Sequence, residues 1–214
     1  TFHLRKGVKF HTTPWFKPTR DFDADDVVWS FDRLRDKSHP GHASARNGYP
    51  YWSGLELGAL IGSVAKVDDM TVRFTLKRPN APFLATLSAY YIGAIYPAEY
   101  GAQLAKAGKL EALNTQPVGS GPFVLRSYQK DAQVRYDAHP AHWAGRPAVD
   151  RLIFAVTVDT DVRVQRVKAG ECLVGGEMKA QSVAGFEPAG EVQIVRNTPL
   201  ATNYLALNVK RKGL

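Results

Sequence analysis

Phe2, Leu4 and Val8 stand among the polar His3, Arg5 and Lys9, so the chain opens on a predicted strand that Gly7 interrupts as a bulge would. A proline-broken loop follows, and then a helix. Asp23 is placed to cap it, and Asp25 and Asp26 suit the positive end of the helix dipole. Val27, Phe31 and Leu34 recur at i, i+4 and i+7 as one buried stripe, and Arg33 and Arg35 fall in the last turn, where cations are favoured. The acidic run at 21–26 therefore reads as capping chemistry, since no glycine-centred calcium loop surrounds it. The strand begins at once, with no initiator methionine or leader. The expectation is a piece of a longer protein.

Periodicity then lapses. Residues 37–62 are punctuated by Gly, Pro, Ser and Asn and predict a long irregular loop carrying Tyr49, Tyr51 and Trp52. Alternation returns at 63–77 as a hairpin turning at Asp68, Asp69 and Met70, with Val72, Phe74 and Leu76 inward. Pro82 predicts a short helix with Phe83, Leu84 and Leu87 inward, and a second helix runs from Pro97 to near Gly108 with Tyr100 and Leu104 on one face.

Two glycines and two prolines between Thr115 and Phe123 give the best internal boundary. Pro117, Gly119, Ser120, Gly121 and Pro122 form either a plain connecting loop or a hinge between lobes. No Gly-Lys-Ser/Thr follows, and the spacing is not that of a nucleophile elbow. Beyond it the texture is β-rich: a hairpin over 123–127 and 133–138, a dense apolar strand at 151–156 expected to be central, and short strands at 173–174, 192–195 and 204–209. A helix over 159–169 is capped by Asp159 or Thr160 and closed by Gly170. Helices interspersed with strands predict a mixed α/β (α+β) fold.

Composition changes this picture little. The 44% hydrophobic and 22% charged content fits an ordinary globular chain of 214 residues, and no apolar run approaches the ~18 residues of a membrane span. The net charge of +8 raises nucleic-acid binding, but Lys and Arg are scattered, and the one dense run, Lys210 to Lys212, is short. A solvated basic surface is the better reading.

Candidate chemistry is sparse. His139 and His142 have i, i+3 spacing, but Pro140 between them argues against a helical metal pair, so a polar loop leading to a packed Trp143 is expected and no metal is assigned. Ser120 has no base partner in sequence, and Cys172 has no nearby His, so no catalytic residue and no cofactor is assigned. A lone Cys172 reads as a small buried residue, or as a thiol whose partner lies elsewhere.

The motifs, in order, do resemble a family. Residues 1–10 with the Ala24-Asp-Asp-Val27 helix, Val67-Asp-Asp with Val72 and Phe74, Arg78-Pro-Asn-Ala-Pro-Phe83, Pro117-Val-Gly-Ser-Gly-Pro-Phe123, Tyr128-Gln-Lys-Asp131, Trp143 with Pro147, and the helix ending at Gly170-Glu-Cys172 are similar to bacterial substrate-binding proteins of the peptide and nickel transport class. The likeness is greatest to dipeptide binders. It implies a periplasmic-binding-protein-like type II fold, incomplete here. Residues 1–116 would be part of an extra small domain, residues 117–214 part of the main-sheet lobe, and the second ligand-binding lobe would be absent. It implies a periplasmic, non-enzymatic protein that hands dipeptides to an ABC permease. A relative taking oligopeptides, haem, glutathione or a nickel chelate is the alternative, and a basic nucleic-acid-binding domain is the third. The residues pairing with the peptide termini would lie in the absent lobe, so binding by this piece alone is expected to be weak or absent. Tyr49 and Tyr51 match aromatic positions toward the ligand cleft, although they could equally anchor a long loop. Ser120 would be structural, and Cys172 would be a free thiol.

Overall fold

Asp23 caps the helix α1 (Ala24–Arg35): its carboxylate accepts from the Asp25 N–H at 2.9 Å, and the Asp23 N–H donates back to Asp26 Oδ2 at 2.9 Å. The two bonds form a capping box, which satisfies amide groups that a helix start leaves without partners. Asp26 does more than complement a dipole. It is fully buried, receives both Arg20 Nη atoms at 2.8 and 2.9 Å, and accepts the Ala98 N–H at 2.7 Å.

The computed structural model describes residues 1–45, 47–183 and 192–196. The chain divides into two compact units, Thr1–Val156 and Thr157–Leu214. In the first, strand β1 (Phe2–His3) precedes α1, and the short helices α2 (Pro50–Gly54) and α3 (Leu57–Leu60) follow it. The hairpin of β2 (Ile61–Asp68) and β3 (Thr71–Leu76) then forms an antiparallel sheet in the order β1-β3-β2, with Phe2 opposite Val72 and Val64 opposite Phe74. The apolar stripe of α1 covers this sheet: Phe31 meets Phe74 edge-on at 4.9 Å and packs with Trp52, Leu57, Leu60 and Val72.

After β3 come α4 (Phe83–Leu87), α5 (Tyr90–Gly93) and α6 (Ala98–Lys106). A second core gathers Phe10, Phe16, Tyr100, Leu104, Leu113 and Val118. Helices α1 and α6 cross closely at Gly101, where an added Cβ would collide with the Trp29 indole. The unit ends in an antiparallel sheet of β4 (Phe123–Gln129), β5 (Gln133–Ala138) and β6 (Arg151–Ala155), in that order. In the second unit Asp159 caps α7 (Thr160–Lys168) by accepting from the Asp161 and Val162 N–H groups, which resolves the choice between Asp159 and Thr160. Gly170 closes that helix at φ +71°, a left-handed turn that favours glycine. Helix α8 (Ala180–Val183) is the last described element.

Several expectations are corrected. The opening strand is two residues long, because Gly7 turns the chain at φ +71°. Residues 37–62 are not one irregular loop: Pro50 starts α2, and burial of Trp52, Leu57 and Leu60 pulls the segment onto the core despite its glycines. Leu84 is exposed, since in a one-turn helix only Phe83 and Leu87 share the inner face. Among the described residues β6 is an edge strand with Ile153 and Phe154 exposed, not a central one. Residues 173–174 and 192–195 form no strand, and Leu173 and Val174 are almost fully exposed. The expected strand at 204–209 and the basic run at 210–212 lie outside the described residues. Trp143 is half exposed and is covered by the Arg5 guanidinium at 4.2 Å rather than packed in a core. Cys172 is a free thiol, half-buried rather than buried.

Candidate functional site

Two loops of the first unit hold the residues singled out from the sequence. The first follows α1. Arg33 is buried, and its Nε and Nη2 donate to Ser44 Oγ at 3.3 and 3.1 Å. Its guanidinium lies over the ring of Tyr49 at 5.3 Å and that of Tyr96 at 5.2 Å. Tyr49 Oη donates to the carbonyl oxygen of His42 at 2.9 Å, so its hydroxyl is spent within the loop. Burial raises the pKa of this phenol, against the opposing pull of the Arg33 cation.

Two residues later the chain faces the other way. Pro50 opens α2, Trp52 turns inward beside Phe31, and Tyr51 stays 54% exposed. The Tyr51 ring stacks on Tyr91 of α5 with centroids 4.0 Å apart and planes 22° from parallel, and Tyr90 meets Tyr91 edge-on at 5.0 Å. Tyr90 is 82% exposed. Three exposed phenol rings in contact make an aromatic surface with hydroxyls at its rim, which can grip an apolar group and still hydrogen-bond.

The second loop carries Pro117, Gly119, Ser120, Gly121 and Pro122. It is fastened from both sides: the His11 N–H donates to the Gly119 carbonyl at 2.8 Å, the His139 N–H to the Pro122 carbonyl at 2.8 Å, and Tyr100 Oη to the Gln116 carbonyl at 2.9 Å. His11 Nε2 lies 2.9 Å from the Gly121 carbonyl, so that nitrogen carries the proton and donates. The His11 and His139 rings meet edge-on at 5.0 Å, and His139 Nε2 is buried without a hydrogen-bond partner among the described residues. Burial lowers the pKa of His11, the Gly121 carbonyl opposes this, and neighbouring His139 and His142 lower it further. Burial likewise lowers that of His139. Neither Gly119 nor Gly121 has a positive φ, so the loop is held by its neighbours and not by left-handed glycines. His139 and His142, 6.5 Å apart ring to ring, sit in a loop and not on a helix face.

The two loops are linked by Asn114, whose Nδ2 donates to the Ser44 carbonyl at 3.1 Å. Sequence reasoning missed Arg33, Tyr90 and Tyr91. The adjacent tyrosines between Ser88 and Pro97 were a readable signal. Arg33 offered none beyond its place in a last helical turn. The exposed phenol rings are suited to contact a ligand, while the bonded guanidinium and occupied carbonyls hold the loops in place.

The chain matches the family model of bacterial extracellular solute-binding proteins, family 5 Middle, over residues 1–214. It is 51% identical over 210 residues to di/tripeptide-binding protein 4 of Pseudomonas aeruginosa, aligning 98% of this chain with 39% of that protein. It is 44% identical over 211 residues to heme-binding protein A of Haemophilus influenzae, aligning 99% of this chain with 38% of that protein. Among solved structures it is similar to a dipeptide binding protein of a Pseudoalteromonas species in complex with Met-Leu, with a TM-score of 0.77 and 34% identity over 80% of this chain and 34% of that one. The chain thus spans well under half the length of these relatives.

Proposed function

Because the chain belongs to family 5 of the bacterial extracellular solute-binding proteins, we propose that the whole protein captures dipeptides in the periplasm of a Gram-negative bacterium and passes them to an ABC permease. Its mixed α/β architecture is part of the periplasmic-binding-protein-like type II fold. The observation that carries the ligand class is the 51% identity to a di/tripeptide-binding relative along almost the whole chain. The exposed Tyr51–Tyr91 stack supports it, because a dipeptide side chain needs apolar area beside hydrogen-bonding groups.

In this reading Tyr51 touches the ligand and Tyr49 anchors the loop that presents it. Residues 1–116 belong to the small extra domain and 117–214 to the main-sheet lobe. The separation of the two sheets on either side of residue 117 supports that division, although both sheets lie within the compact unit Thr1–Val156. The test is calorimetric titration of the full-length protein with Met-Leu. Binding with a dissociation constant of order micromolar supports the proposal. Absence of heat with Met-Leu, together with a shifted Soret band on adding haem, would favour the second reading, which rests on the 44% identity to a heme-binding relative.

A further inference from the structure

Arg33 is 7% exposed, and no carboxylate among the described residues pairs with it. Burying a cation without an anion is unfavourable unless other groups replace its hydration. Here Ser44 Oγ accepts two of its N–H groups, and the faces of Tyr49 and Tyr96 flank it at 5.3 and 5.2 Å. Aromatic faces attract a cation through their quadrupole, and a planar guanidinium suits two rings and one oxygen at once in a way that a lysine point charge does not.

The contacts converge on one loop. Tyr96 is fixed to α1 by its N–H, which donates to Ser30 Oγ at 2.9 Å, so one face of the sandwich belongs to the rigid frame. The other face, Tyr49, is the residue from which α2 starts. The loop is tied to Arg33 a third time, since His42 Nδ1 lies 2.9 Å from the Arg33 carbonyl oxygen and donates to it. What Arg33 holds in place is therefore the entry to α2, and Tyr51 is the outward aromatic of that helix.

We propose that Arg33 is a positioning residue for ligand contact, fixing through Ser44 and Tyr49 the loop that presents Tyr51. This rests on the reading that Tyr51 faces a dipeptide. Arg33 itself does not touch the ligand.

The test is a double-mutant cycle in the full-length protein, with Met-Leu affinity measured by calorimetry well below each variant's unfolding midpoint. Arg33→Lys keeps the charge and loses the fork, and is expected to weaken binding about tenfold. Tyr51→Ala is expected to weaken it at least as much. The double variant should bind no worse than Tyr51→Ala alone, because Arg33 acts only through the placement of that ring. A merely structural Arg33 would lower the midpoint and leave affinity unchanged. Unchanged affinity in Arg33→Lys beside weakened Tyr51→Ala would overturn the proposal and spare the functional reading, and additive losses would overturn it too. An unaltered affinity in Tyr51→Ala, or no Met-Leu binding by the parent protein, would remove the reading and the proposal with it. If Arg33→Lys does not fold, Ser44→Ala removes the oxygen partner, keeps the cation and must give the same pattern.

Discussion

The loop around Ser44 and Tyr49 is held by a buried cation, and the loop over 117–122 by backbone amides, the Tyr100 hydroxyl and one imidazole, that of His11. In the first, a buried guanidinium is shared between two phenol rings and a serine hydroxyl. In the second, two buried imidazoles meet edge-on, one of them spending its single proton on the Gly121 carbonyl. Arginine keeps its proton at any accessible pH, whereas histidine exchanges its own near neutrality. The same task of fastening a loop has therefore been solved once in a form blind to acid and once in a form sensitive to it.

The largest expected effect removes the frame common to both. Asp26 joins α1, which carries Arg33, to α6, which carries Tyr100 and through it Gln116. Asp26→Ala should cost about 3 kcal/mol, because it strips Arg20 of a bidentate partner and leaves the Ala98 N–H buried and unmade. Chemical denaturation measures it, and a loss below about 1 kcal/mol would mean the two loops do not depend on a common support. Arg33→Met should cost about 2 kcal/mol through two lost hydrogen bonds and two ring contacts, with no change in the slope of stability against pH.

The acid arm comes next. Burial holds the folded-state pKa values of His11 and His139 below their ordinary 6.5, so near pH 6 the unfolded chain binds more protons than the folded one. Their contribution is complete above the unfolded value and is lost as pH falls below it. The unfolding midpoint of the full-length protein should drop between about pH 7 and about pH 5, with a limiting slope of about 1.4 kcal/mol per pH unit for each group. His11→Gln, which keeps a donor toward Gly121 and cannot titrate, should flatten that slope. An unchanged slope would place the acid response elsewhere. The smallest effect on stability belongs to Tyr51→Ala, within about 0.5 kcal/mol because the ring is half exposed, so its consequence should be confined to affinity.

What could be read from the sequence was what is encoded locally. The cap of α1, the alternation of β2 and β3, the inner face of α6, the hairpin of β4 and β5, and Gly170 at the end of α7 each depend on residues a few positions apart. The ordered motifs also carried the family, because each restates a local turn or cap. What escaped was decided by distant partners. Arg33 was read only as a last-turn cation, whereas Tyr49 and Tyr96 lie against it, and His11 and His139 meet across most of the first unit. Tyr49 and Tyr51 were read as a pair, yet a helix starting between them sends one ring inward and the other out. Strand β6 was misplaced because a dense apolar run signals burial without saying what covers it.

That strand bears on how the protein can be handled. Among the described residues the edge of β6 away from β5 is unpaired, and Ile153 and Phe154 on that strand are exposed. Such an edge is a template for stacking one copy on the next. Where that edge is uncovered, concentrated protein should drift toward fibrous precipitates, and Ile153→Lys is the substitution that should keep the sample clear.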